Sequence, residues 1–211
     1  MYVPHAFRQD EVEKLVEFMR AHSFATLVSV LEGVPFASHI PLVVRWREGV
    51  VQLLGHVAKA NPHWKAVGDG ESLAIFTGPH AYISPSLYEK RESVPTWNYI
   101  AVHAYGVPRI LTLADSRELL TEMLDAIIDT YDPAYRDQWN EQSDRFREGM
   151  LNGIVGFVMT VTRLEGKYKL SQNRSSADQR TVAHALLQSA DPTIAGVGEA
   201  MREALESGGR Q

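Results

Sequence analysis

The sequence predicts a mainly β (α+β) fold: an antiparallel β-barrel of six or seven strands with peripheral helices and a C-terminal helical pair. Three observations carry this. Between residues 24 and 78 the chain is rich in β-branched and aromatic residues. Turn residues separate the first runs at hairpin distances. Helical periodicity is confined to three stretches, whereas a parallel sheet would alternate strands with long helices throughout.

The elements follow in order. DEVEKLVEFMRA (10–21) reads as a helix, with Asp10 as cap, Glu13 completing a capping box, and Val12, Leu15, Val16 and Met19 on one face. FATLVSVL (24–31), VPFASHIPLVVRW (34–46), VVQLLGH (50–56) and SLAIFTG (72–78) read as strands, the first three parted by Glu32-Gly33 and by Arg47–Gly49. Pro35 and Pro41 make the second of these an edge or bulged strand, because proline cannot donate to a ladder. ANPHWKAV (60–67) reads as a short helix. Residues 79–95 read as a loop, and TWNYIAVHAYGVPRILT (96–112) as one long strand bent at Gly106 and Pro108.

Residues 115–131 form an amphipathic helix striped by Leu119, Leu120, Met123, Leu124, Ile127 and Ile128, followed by a polar, partly helical stretch to 149. With ten acidic and four basic residues over 115–149, its outer face is acidic and solvated. GIVGFVMTVTRLEGKYKLSQ (153–172) reads as two strands around Glu165-Gly166, and 176–206 as two helices broken at Asp191-Pro192. The final SGGRQ is expected to fray. The expected organisation is a barrel domain over 1–175 with a helical extension, 176–211, packed on it.

Composition narrows the function classes. With 211 residues, 45% of them hydrophobic, the chain can bury one sizeable core. A net charge of −5 argues against broad, sequence-independent binding to nucleic acid or anionic membrane. The absence of cysteine removes disulfides and thiolate chemistry. No signal-peptide layout or membrane-length apolar run is present, so a cytoplasmic protein is expected.

Several polar clusters are candidate sites. His56 and His63 are too irregularly spaced for a zinc site, and no carboxylate completes a set, so no metal is expected. Lys59, His56 and a helix start at Asn61-Pro62 would suit an anion such as phosphate; a solvated lysine and a packed strand-end histidine fit the residues equally well. His39, alone on an apolar strand, reads as a satisfied core or interface residue, while Pro41 frees nearby backbone groups. Trp97 and Asn98, near Tyr82, Tyr88 and Tyr99, suit a heterocycle, but a packed core strand explains them as well. Lys167, Lys169, Gln172, Asn173 and Arg174 form a local cationic cluster that suits an anion or a solvated strand end. No nucleophile or phosphate-loop motif occurs; SPS at 84–86 reads as a turn, and no catalytic residue is assigned.

Six stretches in this order, MYVPHAF (1–7), SHIPLV (38–43), GHVAKANPHW (55–64), AYISPSLY (81–88), VPTWNYIAVHAYG (94–106) and GKYKLSQNRSSADQR (166–180), resemble the PaiB-type family of FMN-binding negative transcriptional regulators. The resemblance implies a split β-barrel like that of pyridoxamine-phosphate oxidases, FMN as cofactor, and a homodimer with flavin sites at the subunit interface. In that frame Lys59, His56 and Asn61 hold the phosphate, and backbone groups of Ser38, His39 and Ile40 meet the polar edge of the ring. Trp97 and Asn98, supplied by the partner subunit, close over the site, with Gln172 and Lys169 as further contacts. Leu87 stands where the family pattern has tryptophan, and Gln179 separates Asp178 from Arg180, which that pattern has adjacent.

Three functions compete: a flavin-binding regulator with DNA as partner, a flavin-dependent oxidoreductase of a small molecule, and a haem-handling protein using His39, His56 or His103. No evident acid–base pair favours the oxidoreductase. Direct DNA reading by the last helix is not expected, because Arg202 is its single cation.

Overall fold

The computed structural model describes residues 1–68 and 70–208. Among them are ten strands and six α-helices. A six-stranded antiparallel sheet runs in the order β1 (Arg8–Gln9), β10 (Arg163–Lys169), β7 (Thr96–Gly106), β6 (Ser72–Ile83), β2 (Phe24–Leu31), β3 (Val34–Pro41). A four-stranded one runs β4 (Val43–Arg47), β5 (Val50–Ala58), β9 (Ile154–Thr160), β8 (Pro108–Leu111). The helices are α1 (Val12–Ala21), α2 (Arg117–Tyr131), α3 (Tyr135–Glu141), α4 (Asp144–Asn152), α5 (Ser176–Leu187) and α6 (Pro192–Gly208).

Ten strands replace the expected six or seven because two long apolar runs change sheet partway along and the N-terminal segment adds the two-residue β1. The run 34–46 breaks at Leu42, so β3 is the edge of the larger sheet and β4 begins the smaller one. The edge position agrees with Pro35 and Pro41. The run 96–112 likewise divides at Val107 into β7 and β8. The turn after β9 falls at residues 161–162, and Glu165 and Gly166 lie inside β10. β6 extends to Ile83, through the first part of the expected loop. The two predicted hairpins close as two-residue turns with positive φ throughout: Glu32 at 52° and Gly33 at 81°, then Glu48 at 51° and Gly49 at 78°. α1 starts at Val12, one residue later than a cap at Asp10 implies; the Glu11 N–H donates to Gln9 Oε1 at 2.9 Å.

The chain divides into two compact units. One comprises Val16–Phe76 and His103–Leu164. Its core joins the four-stranded sheet to the helices above it through Val43, Leu54, Leu111, Leu120, Met123 and Leu151. Gly156 permits this approach: a Cβ there would meet Leu120 Cδ1 at 2.6 Å and Met123 Sδ at 2.9 Å. The other unit comprises Met1–Leu15, Thr77–Val102 and the chain from Glu165 onward. The C-terminal helices are therefore integrated with the N-terminal segment and residues 77–102. Asp178 of α5 accepts the Glu89 N–H at 2.9 Å, and Ser175 caps α5 by accepting from Asp178 N at 3.1 Å. Of the tail expected to fray, Ser207 and Gly208 close α6, and 209–211 lie outside the described residues.

Candidate functional site

In the first unit, β5 runs out at Ala58 into a tight turn. The Asn61 N–H donates to Ala58 O at 2.8 Å, the Lys59 N–H to Gly153 O at 2.8 Å, and the Trp64 indole N–H to Lys59 O at 3.0 Å. Asn61 caps Pro62–Lys65 by accepting the His63 N–H at 3.0 Å. These four residues form a 3-10 helix, not the α-helix start that the anion reading assumed. One 3-10 turn aligns too few peptide dipoles to act as a macrodipole, so that contribution drops out. What stands is Lys59: its side chain is exposed, and its ammonium makes no ion pair among the described residues.

His56 faces Gly156 across the β5–β9 ladder. Its Nδ1 is buried without a hydrogen-bond partner, and burial lowers its pKa. It is neutral at pH 7 and offers a hydrogen-bonding nitrogen, not a charge. His63 is fully buried, and burial lowers its pKa as well. Its Nδ1 lies 2.8 Å from Ser38 Oγ, to which Asn61 Nδ2 donates at 3.0 Å.

Alternation along β3 places Ser38 and Ile40 on the buried side. His39 faces outward, opposite Thr26, whose hydroxyl is 3.0 Å from its Nδ1. As an edge strand, β3 spends only half of its backbone polar groups on β2.

In the second unit, neighbouring residues of β7 point to opposite faces. Trp97 is 53% exposed, with the Tyr82 ring edge-on at 6.0 Å and His80 at 6.3 Å. Asn98 is fully buried; its Nδ2 donates to Ser171 Oγ at 2.8 Å and approaches Met201 Sδ at 3.5 Å. The two residues expected to close together over a ring thus present one aromatic face outward and one amide inward. Gln172 spends its side chain locally, accepting from Leu170 N and donating to Tyr168 O. The Lys169 ammonium donates to Thr96 Oγ1 and Trp97 O, and burial, then the charge of Lys167, lowers its pKa. Lys167 is nearly buried, donating to Tyr2 O at 3.1 Å with the Tyr99 ring 5.1 Å away.

The structure therefore brings Ser38 and Asn61 into direct hydrogen-bond contact, and both also bond His63, a residue weighed from sequence only as a metal ligand. A cap residue followed by a histidine on a short turn was the available signal; the strand partner, Ser38, was not. Ser171, partner of Asn98, left no sequence signal. FMN presents a doubly charged phosphate and a flat ring with a polar edge. An unpaired ammonium on a backbone-satisfied turn, an orphaned buried imidazole nitrogen and an unpaired strand edge fit that chemistry.

Comparison with known proteins follows the same line. A family model described as "Putative FMN-binding domain" matches residues 1–163. The chain is 37% identical over 210 residues to "Protease synthase and sporulation protein PAI 2" of Bacillus subtilis (strain 168), covering 98% of this chain and 99% of that one. It is 28% identical over 221 residues to uncharacterized protein AN0679 of Emericella nidulans, covering 85% and 87%. Among solved structures, the flavocytochrome Anf3 from Azotobacter vinelandii superposes with a TM-score of 0.61 at 16% identity, covering 78% of this chain and 70% of that one. The FAD and haem binding protein from Mycobacterium smegmatis gives 0.57 at 16% identity, covering 84% and 79%. At that identity the likeness is one of fold, the split barrel of flavin proteins. The chain belongs to the PaiB-type family of FMN-binding split-barrel proteins, and FMN is its cofactor.

Proposed function

We propose that this protein is an FMN-loaded homodimer that acts in the cytoplasm as a negative regulator of transcription, with the flavin as a structural or sensing ligand. The observation that carries the reading is the turn at 58–64. The Lys59 and Asn61 N–H groups are already spent on Gly153 O and Ala58 O, and the Lys59 ammonium, with no ion pair among the described residues, stands free to meet a phosphate. His56 and Asn61 flank that position, and the free edge of Ser38–Ile40 meets the polar rim of the ring. Trp97 of the second protomer supplies an aromatic face.

The Bacillus relative is named for protease synthesis and sporulation rather than for a reaction, which supports a regulatory output. α6 is a poor reader of DNA: Arg202, its single cation, is tied to Glu199 at 2.5 Å, with Glu203 and Glu206 close by. The regulatory contact then runs through another surface of the dimer or through a partner protein. No helix among the described residues is long and apolar enough to cross a membrane.

The test is a spectrum and a titration. Protein mixed with FMN should develop the bound-flavin absorption near roughly 450 nm, a property of the cofactor itself. The holoprotein should bind a promoter fragment, alone or with its partner, with salt sensitivity. No FMN uptake, or steady NAD(P)H turnover without any effect on DNA, contradicts the reading.

A further inference from the structure

His63 is fully buried, and none of the roles assigned above uses its imidazole. The direction of each hydrogen bond around it follows from geometry. Asn61 Oδ1 accepts the His63 backbone N–H, so the amide nitrogen of Asn61 is the end that faces Ser38. Ser38 Oγ accepts there and keeps its own proton to give. The acceptor within reach is His63 Nδ1, at 2.8 Å. His63 therefore carries its proton on Nε2. The edge of the Phe36 ring system packs against the imidazole, with centroids 5.1 Å apart. Nε2 has no acceptor among the described residues, an unpaired buried group of a kind that native folds keep rarely and usually for a reason.

We infer that His63 is the positioning residue of the FMN site. By accepting the Ser38 proton, its imidazole ties strand β3 to the Asn61 turn, so the edge that meets the ring and the turn that meets the phosphate form one rigid piece. The link is not local: Ser38 lies 23 residues from Asn61 and 25 from His63. Without it, the turn meets β3 through the Asn61–Ser38 hydrogen bond alone, and the Ser38 hydroxyl loses the acceptor that fixes its orientation. A site whose two contact points are already spaced loses less freedom when it closes on its ligand. The inference rests on the FMN reading of the preceding subsection.

The test uses the full chain and four proteins: wild type, His63→Phe, His63→Asn and Ser38→Ala. Dissociation constants for FMN and riboflavin are measured on each, with circular dichroism as a check of folding. His63→Phe keeps a ring but removes the acceptor; FMN affinity should fall about tenfold, the worth of a hydrogen bond near the upper end of the usual range, and riboflavin affinity by less. His63→Asn, whose amide oxygen stands near the former Nδ1, should recover most of the loss. Ser38→Ala removes the Asn61 bond as well and should lose at least as much as His63→Phe, and the double variant should be no worse than Ser38→Ala alone. Ser38→Ala removes one hydroxyl and carries the test if His63→Phe does not fold.

Independently of any ligand, nitrogen NMR of the apoprotein should show His63 as the Nε2–H tautomer. The inference is overturned by the Nδ1–H tautomer, by a folded His63→Phe with wild-type FMN affinity, by equal loss of both ligands, or by additive effects of the two substitutions. Failure of the wild type to bind FMN overturns the flavin reading itself and is distinguished by that control.

Discussion

The side-chain amide of Asn98 donates to Ser171 Oγ at 2.8 Å, joining the interior of β7 to the turn that follows β10. Both residues are buried, and Ser171 adopts φ of 66°, a left-handed conformation that places its hydroxyl there at some backbone cost. Asn98→Leu strands the Ser171 hydroxyl and should lower unfolding free energy by about 1–3 kcal/mol, read from urea denaturation. The ratio of FMN to riboflavin affinity should not change. A variant of wild-type stability with altered flavin selectivity would move Asn98 from the core to the ligand.

Acid should destabilise the fold earlier than carboxylate titration alone would. Burial holds His56 and His63, and also His22, below the usual histidine value of 6.5. The unfolded chain then binds protons that the folded chain does not. That part of the stability is complete above 6.5, falls as pH drops from 6.5 to the depressed folded values, and falls no further below them. Urea midpoints should be level between about pH 8 and 7 and decline below about 6.5. A midpoint that rises on acidification from neutrality contradicts this.

Gly156 tests the packing of helix on sheet. Gly156→Ala pushes a methyl against Leu120 and Met123 and should cost about 1–3 kcal/mol by thermal or urea denaturation. Gly33→Ala is the contrasting case. Nothing lies within 4 Å of its added methyl, and only the positive φ of 81° opposes it, so about 1 kcal/mol is expected. Equal costs at the two sites would mean that the helix yields.

Trp97 separates ring contacts from phosphate contacts. It is half exposed on β7, and its indole is not part of the core. Trp97→Ala should leave unfolding free energy within about 0.5 kcal/mol. It should weaken FMN and riboflavin alike, because both carry the ring. Loss of FMN alone would place Trp97 near the phosphate.

Local signals were legible in the sequence where their physics is local. The positive-φ turns at Glu32-Gly33 and Glu48-Gly49 and the prolines of the β3 edge announce themselves, because one or two residues decide the backbone there. Exchange of a strand between sheets at Leu42 and Val107 is a tertiary event, and the apolar pattern runs on through it. Gly166 misled for a physical reason. Next to Glu165 it resembles a turn, yet glycine is needed there because a Cβ would collide with the Leu15 side chain and lie 2.7 Å from Gln9 O. Within the candidate site, Lys59 and Asn61 were visible as a charge beside a cap. The Ser38–His63 and Asn98–Ser171 bonds were not, since their partners stand 25 and 73 residues apart.

The central claim is that the Lys59 ammonium grips the FMN phosphate, and titrating wild type and Lys59→Ala with FMN and with riboflavin tests it most directly. Loss of one charge-assisted hydrogen bond predicts FMN affinity lowered roughly 10- to 100-fold in the variant, with riboflavin affinity unchanged. Equal weakening of both ligands, or an FMN affinity that survives the substitution, would contradict it.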